Sequence, residues 1–261
     1  MTDTFYEKLK IWFKKYVSEF PQKDPKHKLA YEVKIEHSLQ VSNEMEVLAL
    51  HLGHDSTFIT VAKTIGLLHD IGRFEQFESY QTFRDVDSVD HAALACEVIN
   101  RNQLLDSLSN TESDQIHYAI AHHNKKEIPA TESIEKDRYL KMIRDADKLD
   151  IWRVVCHHYQ SEDGHEAIGL DLPDLPEISA NVAKMVCDGE LVHMHELKTL
   201  NDFKLLQMGW VYDLNFPWSH QAAYDRGYLQ TIVETLPESF LVDQVLQATL
   251  HHLQKQASLK G

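Results

Sequence analysis

His69 and Asp70 stand side by side in LLHDIGRFEQF, near the end of an apolar segment. Ile65, Ala62 and Phe58 precede His69 by four, seven and eleven residues, so helical periodicity places the imidazole on a buried face. A buried imidazole next to a carboxylate is a poor way to build a core and a good way to hold a divalent cation. Two other segments repeat the pattern. His37 lies in VKIEHSLQVSNEMEVLAL, on one stripe with Val33, Val41, Met45 and Leu48. Asp145 lies in YLKMIRDADKLDIWRVV and shares a face with Met142, Leu149 and Trp152. A carboxylate there is costly unless it is paired or bound to a metal. His91 opens DHAALACEVIN, and His122 and His123 close DQIHYAIAHHNKK. His123 follows Ile116, Ala119 and Ile120 on one face, while His122 sits at its edge below Tyr118 and Ala119. These histidines add donors for a second ion.

The elements that must position these groups read as helices. The first covers 3–20 and ends at Pro21, before the polar loop PQKDPKHK. The helix of His37 covers 29–52, and that of His69 covers 56–70, capped by Asp55 or Ser56. Gly72 ends or reorients it. RFEQFESYQTFRDVDSVD lacks sustained periodicity and is expected to form a loop over the site. Helices follow at 90–101, capped by Asp90 or Ser88, at 111–125 and at 133–160. The acid- and proline-rich SEDGHEAIGLDLPDLPEIS is the clearest break, and helical patterns resume after it to the end of the chain. The expected division is 1–28, a helix and loop packed on the core; 29–160, the metal-binding core; and 161–261, a helical extension within the same compact domain.

The order His, His-Asp, His, His-His, Asp resembles the HD-domain superfamily of metal-dependent phosphohydrolases, over roughly residues 30–160. LLHDIGRF looks like the family's central motif and DADKLD like its final aspartate motif. The resemblance implies an all-α fold, an HD-domain helical bundle with additional C-terminal helices. It implies one or two divalent ions (Mn, Fe, Co, Ni, Zn or Mg) held by His37, His69, Asp70 and Asp145. With two ions, Asp70 bridges them, and His91, His122 and His123 either ligate the second or contact substrate phosphate. The implied activity is hydrolysis of a phosphoester or nucleotide bond by metal-activated water. Arg73 stands where the family often faces substrate, and it could fork two hydrogen bonds to a phosphate; a surface Arg paired with Glu75 or another acid is the alternative. Lys148 has the same ambiguity, and Glu75 is a candidate general acid. Two other activities share the pattern: a di-iron oxygenase, and a regulatory module that binds a nucleotide without turnover. No Gly-Tyr-Pro follows His122-His123, which disfavours the HD-GYP class of diguanylate phosphodiesterase.

Composition narrows the partners. Among 261 residues there are only 9 glycines and 7 prolines, which favours helices, and the formal net charge is −15. That charge and the lack of a long basic stripe argue against a nucleic-acid polymer, and a small phosphorylated substrate such as a nucleotide is expected. Three cysteines without a C-x-x-C pair suggest a reducing compartment. The N-terminal stripe Phe5, Leu9, Phe13 and Tyr16 carries charges throughout and reads as a packed helix, not a signal peptide. No apolar run reaches bilayer length, so a cytoplasmic protein with no membrane partner is expected. A homodimer is compatible with the sequence but has no signature in it.

Overall fold

A computed structural model describes residues 3–20, 25–160 and 172–259. All regular elements among them are helical. The chain divides into two compact units, 1–150 and 151–261.

The first unit contains α1 (Asp3–Ser18), α2 (Pro25–His51), α3 (Ser56–Leu68), α4 (Gly72–Tyr80), α5 (His91–Arg101), α6 (Asn110–His122) and α7 (Ile134–Tyr159) as far as Asp150. Polar side chains fix where several helices begin. Asp55 accepts from Phe58 N at the start of α3, Asp90 accepts from Ala92 N and Ala93 N at the start of α5, and Ser109 forms a capping box with Glu112 at the start of α6. Leu9, Phe13 and Val17 turn one stripe of α1 inward, and Tyr6 Oη lies 2.6 Å from Ser42 Oγ on α2.

Two glycines set the helix spacing that the site depends on. A Cβ on Gly66 would lie 2.6 Å from Ser42 Cα, so its absence lets α3 lie directly on α2 and brings His69 up to His37. A Cβ on Gly72 would lie 2.4 Å from the His91 carbonyl oxygen and 2.6 Å from Ala95 N. Gly72 is therefore not a helix stop. It opens α4 and gives the start of α5 room to reach Asp70. Gly72→Ala is expected to cost about 3 kcal/mol, the upper end for overpacking, because the opposing atoms are backbone. A thermal melt within experimental error of wild type would refute this contact.

The segment expected as a loop divides in two. Residues 72–80 form α4, because Phe74 and Phe77 are buried one turn apart against Tyr31, with ring centroids at 6.0 and 5.4 Å. Two and a half turns give too few repeats for a periodic signal. Only 81–90 is irregular, with a 3-10 turn at Asp85–Asp87.

The second unit contains the end of α7 and then α8 (Ala180–Cys187), α9 (Leu200–Gly209), α10 (Pro217–Asp225), α11 (Tyr228–Val233) and α12 (Phe240–Ala257). It has a core of its own around Trp152, whose ring lies 6.1 Å from those of Trp210 and Tyr228 and whose Nε1 donates to the Gln207 carbonyl at 3.0 Å. The division between units falls inside α7, not at the acidic break; residues 161–171 of that break lie outside the described residues. All three cysteines are free thiols, and burial pushes Cys156 up to about 12. No helix among the described residues is long and apolar enough to cross a membrane.

Candidate metal centre

Four histidines from four helix ends and faces converge within the first unit. His37 comes from the middle of α2, His69 caps the C-terminus of α3, His91 is the first residue of α5, and His123 caps the C-terminus of α6. All four are buried. Each uses Nδ1 on a fixed acceptor: Asp150 Oδ2 at 2.7 Å for His37, the Gly66 carbonyl at 2.8 Å for His69, Asp85 Oδ2 at 2.7 Å for His91, and the Ile120 carbonyl at 2.7 Å for His123. These partners only accept, so Nδ1 carries a hydrogen, and Nε2, turned to the interior, presents its lone pair wherever the ring is neutral. The Nε2 atoms face each other in pairs, 3.3 Å apart for His37 and His69 and 3.1 Å for His91 and His123.

Asp70 lies between the pairs. Its Oδ2 is 3.7 Å from His37 Nε2 and 3.8 Å from His69 Nε2, and its Oδ1 is 3.4 Å from His91 Nε2 and 3.9 Å from His123 Nε2. Asp147 on α7 closes the first pair, with Oδ1 at 3.1 Å from His37 Nε2 and 3.7 Å from His69 Nε2. Ligand atoms of His37, His69 and Asp70 lie within 4.8 Å of one another, as do those of Asp70, His91 and His123, and those of His69, His123 and Asp147.

The electrostatics suit cations. Burial opposes the charge on Asp70, but Lys34, His69, Arg73 and His91 together hold its carboxyl well below the usual range. Burial likewise opposes Asp147, and His37 and His69 outweigh it. Burial, reinforced by its histidine neighbours, drives His123 down to about 3, and burial also lowers His91. Two neutral imidazoles thus aim lone pairs at each other over 3.1 Å, an arrangement that a cation between them relieves. His37 differs: burial lowers it, but hydrogen bonds to Asp147 and Asp150 prevail and raise it to about 9. Ligation through Nε2 would require that ring to give up its proton. The donor set therefore fits divalent ions, with His37, His69, Asp70 and Asp147 on one side and Asp70, His91 and His123 on the other.

Several sequence-based assignments are corrected by this geometry. The α7 carboxylate among the histidines belongs to Asp147, not Asp145. The two are about 200° apart around the helix, and Asp145 is buried on the opposite side with Met142 and Leu149. His122 points away: its Nδ1 lies 2.7 Å from the Tyr118 carbonyl and its ring packs on the Tyr118 ring. Glu75 is not placed as a general acid, because its carboxylate is held by Tyr16 Oη at 2.7 Å and by Arg101. Arg73 does not reach out for a phosphate. Its Nη1 donates to Gln76, Asp85 and the Phe83 carbonyl, and its Nε is 3.4 Å from Asp70 Oδ1. Lys148 lies one residue past Asp147, with Nζ 3.3 Å from the Arg144 carbonyl.

Three residues were not placed in the site by sequence reasoning. Asp150 orients His37, and it lies three residues after Asp147, on nearly the same face. Asp85 orients His91, and its only sequence signal is an acid-rich run just before that histidine. Lys34 stands one turn before His37 on the same stripe. Asp150→Asn is expected to weaken metal binding by about 10- to 100-fold, as loss of an orienting partner does. Calorimetric titration with Mn²⁺ checks it, and an unchanged affinity would remove Asp150 from the centre.

The family comparison agrees with this geometry. The HD domain model matches residues 35–152. Those residues are an HD domain. A 90-residue stretch, 34% of the chain, is 37% identical to ribonuclease Y 1 of Pediococcus pentosaceus, and it spans only 14% of that relative. No solved structure matches the chain significantly. The HD domain begins just before His37 and ends just after Asp150, so it contains every histidine and carboxylate of the centre.

Proposed function

We propose that this HD protein is a metal-dependent phosphohydrolase acting on a small phosphoester or nucleotide. One observation carries the reading: both oxygens of Asp70 are used, each facing its own pair of inward Nε2 atoms. A divalent ion held there would lower the pKa of a water from 15.7 toward about 7 and offset charge on a phosphoryl oxygen. The protein's own part is positional. Asp150 and Asp85 keep the rings of His37 and His91 turned inward, and burial keeps His91 and His123 neutral, ready to donate lone pairs.

The relative's name says that it cuts RNA, which supports hydrolysis of a phosphoester. The net charge of −15 favours a small substrate over a polymer. The test is phosphate release by the purified protein across a nucleotide and phosphoester panel, with Mn²⁺ added and Asp70→Ala as blank. Release from one substrate group, absent in the blank, supports the proposal. No release above the blank across the panel overturns it.

A further inference from the structure

We infer that Lys34 binds the phosphoryl group of the substrate and becomes available for it when a cation takes its place on Asp70. The inference rests on the phosphohydrolase reading and names the residue that recognises the anion. Lys34 Nζ lies 2.8 Å from Asp70 Oδ2, the oxygen that faces His37 and His69. Its other side rests over the Phe83 ring, 5.4 Å from the centroid, and the side chain is 19% exposed. The ammonium is therefore at the mouth of the centre, in contact with both the metal-binding carboxylate and solvent.

Two other cations near the centre are held by further partners, Arg73 in addition to its contact with Asp70. Arg73 is turned toward Asp85 and the Phe83 carbonyl, and Arg144 Nη1 donates to the His123 and Lys125 carbonyls. Lys34 stabilises the Asp70 carboxylate in the absence of metal. A divalent ion on Oδ2 supplies that charge itself and repels the ammonium. A lysine on a flexible four-carbon stem can then swing while Phe83 keeps it at the mouth, where an anion bound by the ion must lie. An ammonium is a point charge with three donors, suited to a phosphate that must be held without fixed bidentate geometry.

Calorimetry on the full chain tests this, using Mn²⁺ alone and then inorganic phosphate on the Mn²⁺-loaded protein. Lys34→Met is expected to bind Mn²⁺ several-fold more tightly than wild type, because a competitor for Asp70 is gone. It is expected to bind phosphate about 10- to 100-fold more weakly, the loss of one charge-assisted hydrogen bond. Lys34→Arg should retain most of the phosphate affinity, and Lys34→Gln carries the same expectation as Lys34→Met if the latter does not fold. Unchanged phosphate affinity in the neutral variants, or weaker Mn²⁺ binding by them, overturns the inference. So does a wild-type protein that binds Mn²⁺ but not phosphate. Wild-type protein that takes up no Mn²⁺ overturns the metal reading itself, which is a separate outcome.

Discussion

Replacing Asp70 with alanine is expected to abolish metal-dependent phosphate release, by at least about a thousandfold, since the charge stabilisation an ion supplies is worth several kcal/mol. The reason is its position. The other carboxylate among the histidines, Asp147, approaches His37 and His69 through one oxygen, whereas Asp70 offers one oxygen to each histidine pair. Its removal unlinks both ligand sets. It also leaves Lys34 and Arg73 without their shared counter-charge, so a fall in stability accompanies the loss of activity. Asp70→Asn keeps the shape and removes only the charge, so it tests the carboxylate without opening a cavity. Metal content by mass spectrometry and helicity by circular dichroism should be measured with activity. An asparagine variant that folds, loads metal and turns over like wild type would refute the bridging role.

The second large effect distinguishes the two aspartates of DADKLD. Asp147→Asn is expected to weaken Mn²⁺ binding by more than about 100-fold, exceeding the loss of an orienting partner. Asp145→Asn should leave Mn²⁺ affinity unchanged and act on stability, by about 1–3 kcal/mol, since Asp145 is fully buried and stands about 200° around α7 from Asp147. The reverse pattern would return the ligand role to Asp145. The comparison is informative because both residues are acidic, inward and on one helix, and they differ only in which side of α7 they occupy.

The sequence by itself determined the helices of the first unit other than α4, their order, and the inward placement of His37, His69, Asp70, His91 and His123. These groups lie on one-sided helices or at helix ends, where apolar spacing and capping residues mark the buried side. The HD resemblance followed from their order along the chain. Tertiary structure decided which aspartate of α7 joins them. Leu140 and Ile143 are as fully buried as Met142 and Leu149, so this helix is packed on both sides and its apolar pattern does not single out a face. Tertiary structure also made α4 a helix, through burial of Phe74 and Phe77 over too short a span for periodicity. The remaining decisions are pairings between distant segments: Arg73 with Asp85, Glu75 with Arg101, Lys34 with Asp70. A charged side chain is equally compatible with solvent, a substrate or an ion pair until the fold brings its partner within a few ångströms, and local spacing carries no record of that choice.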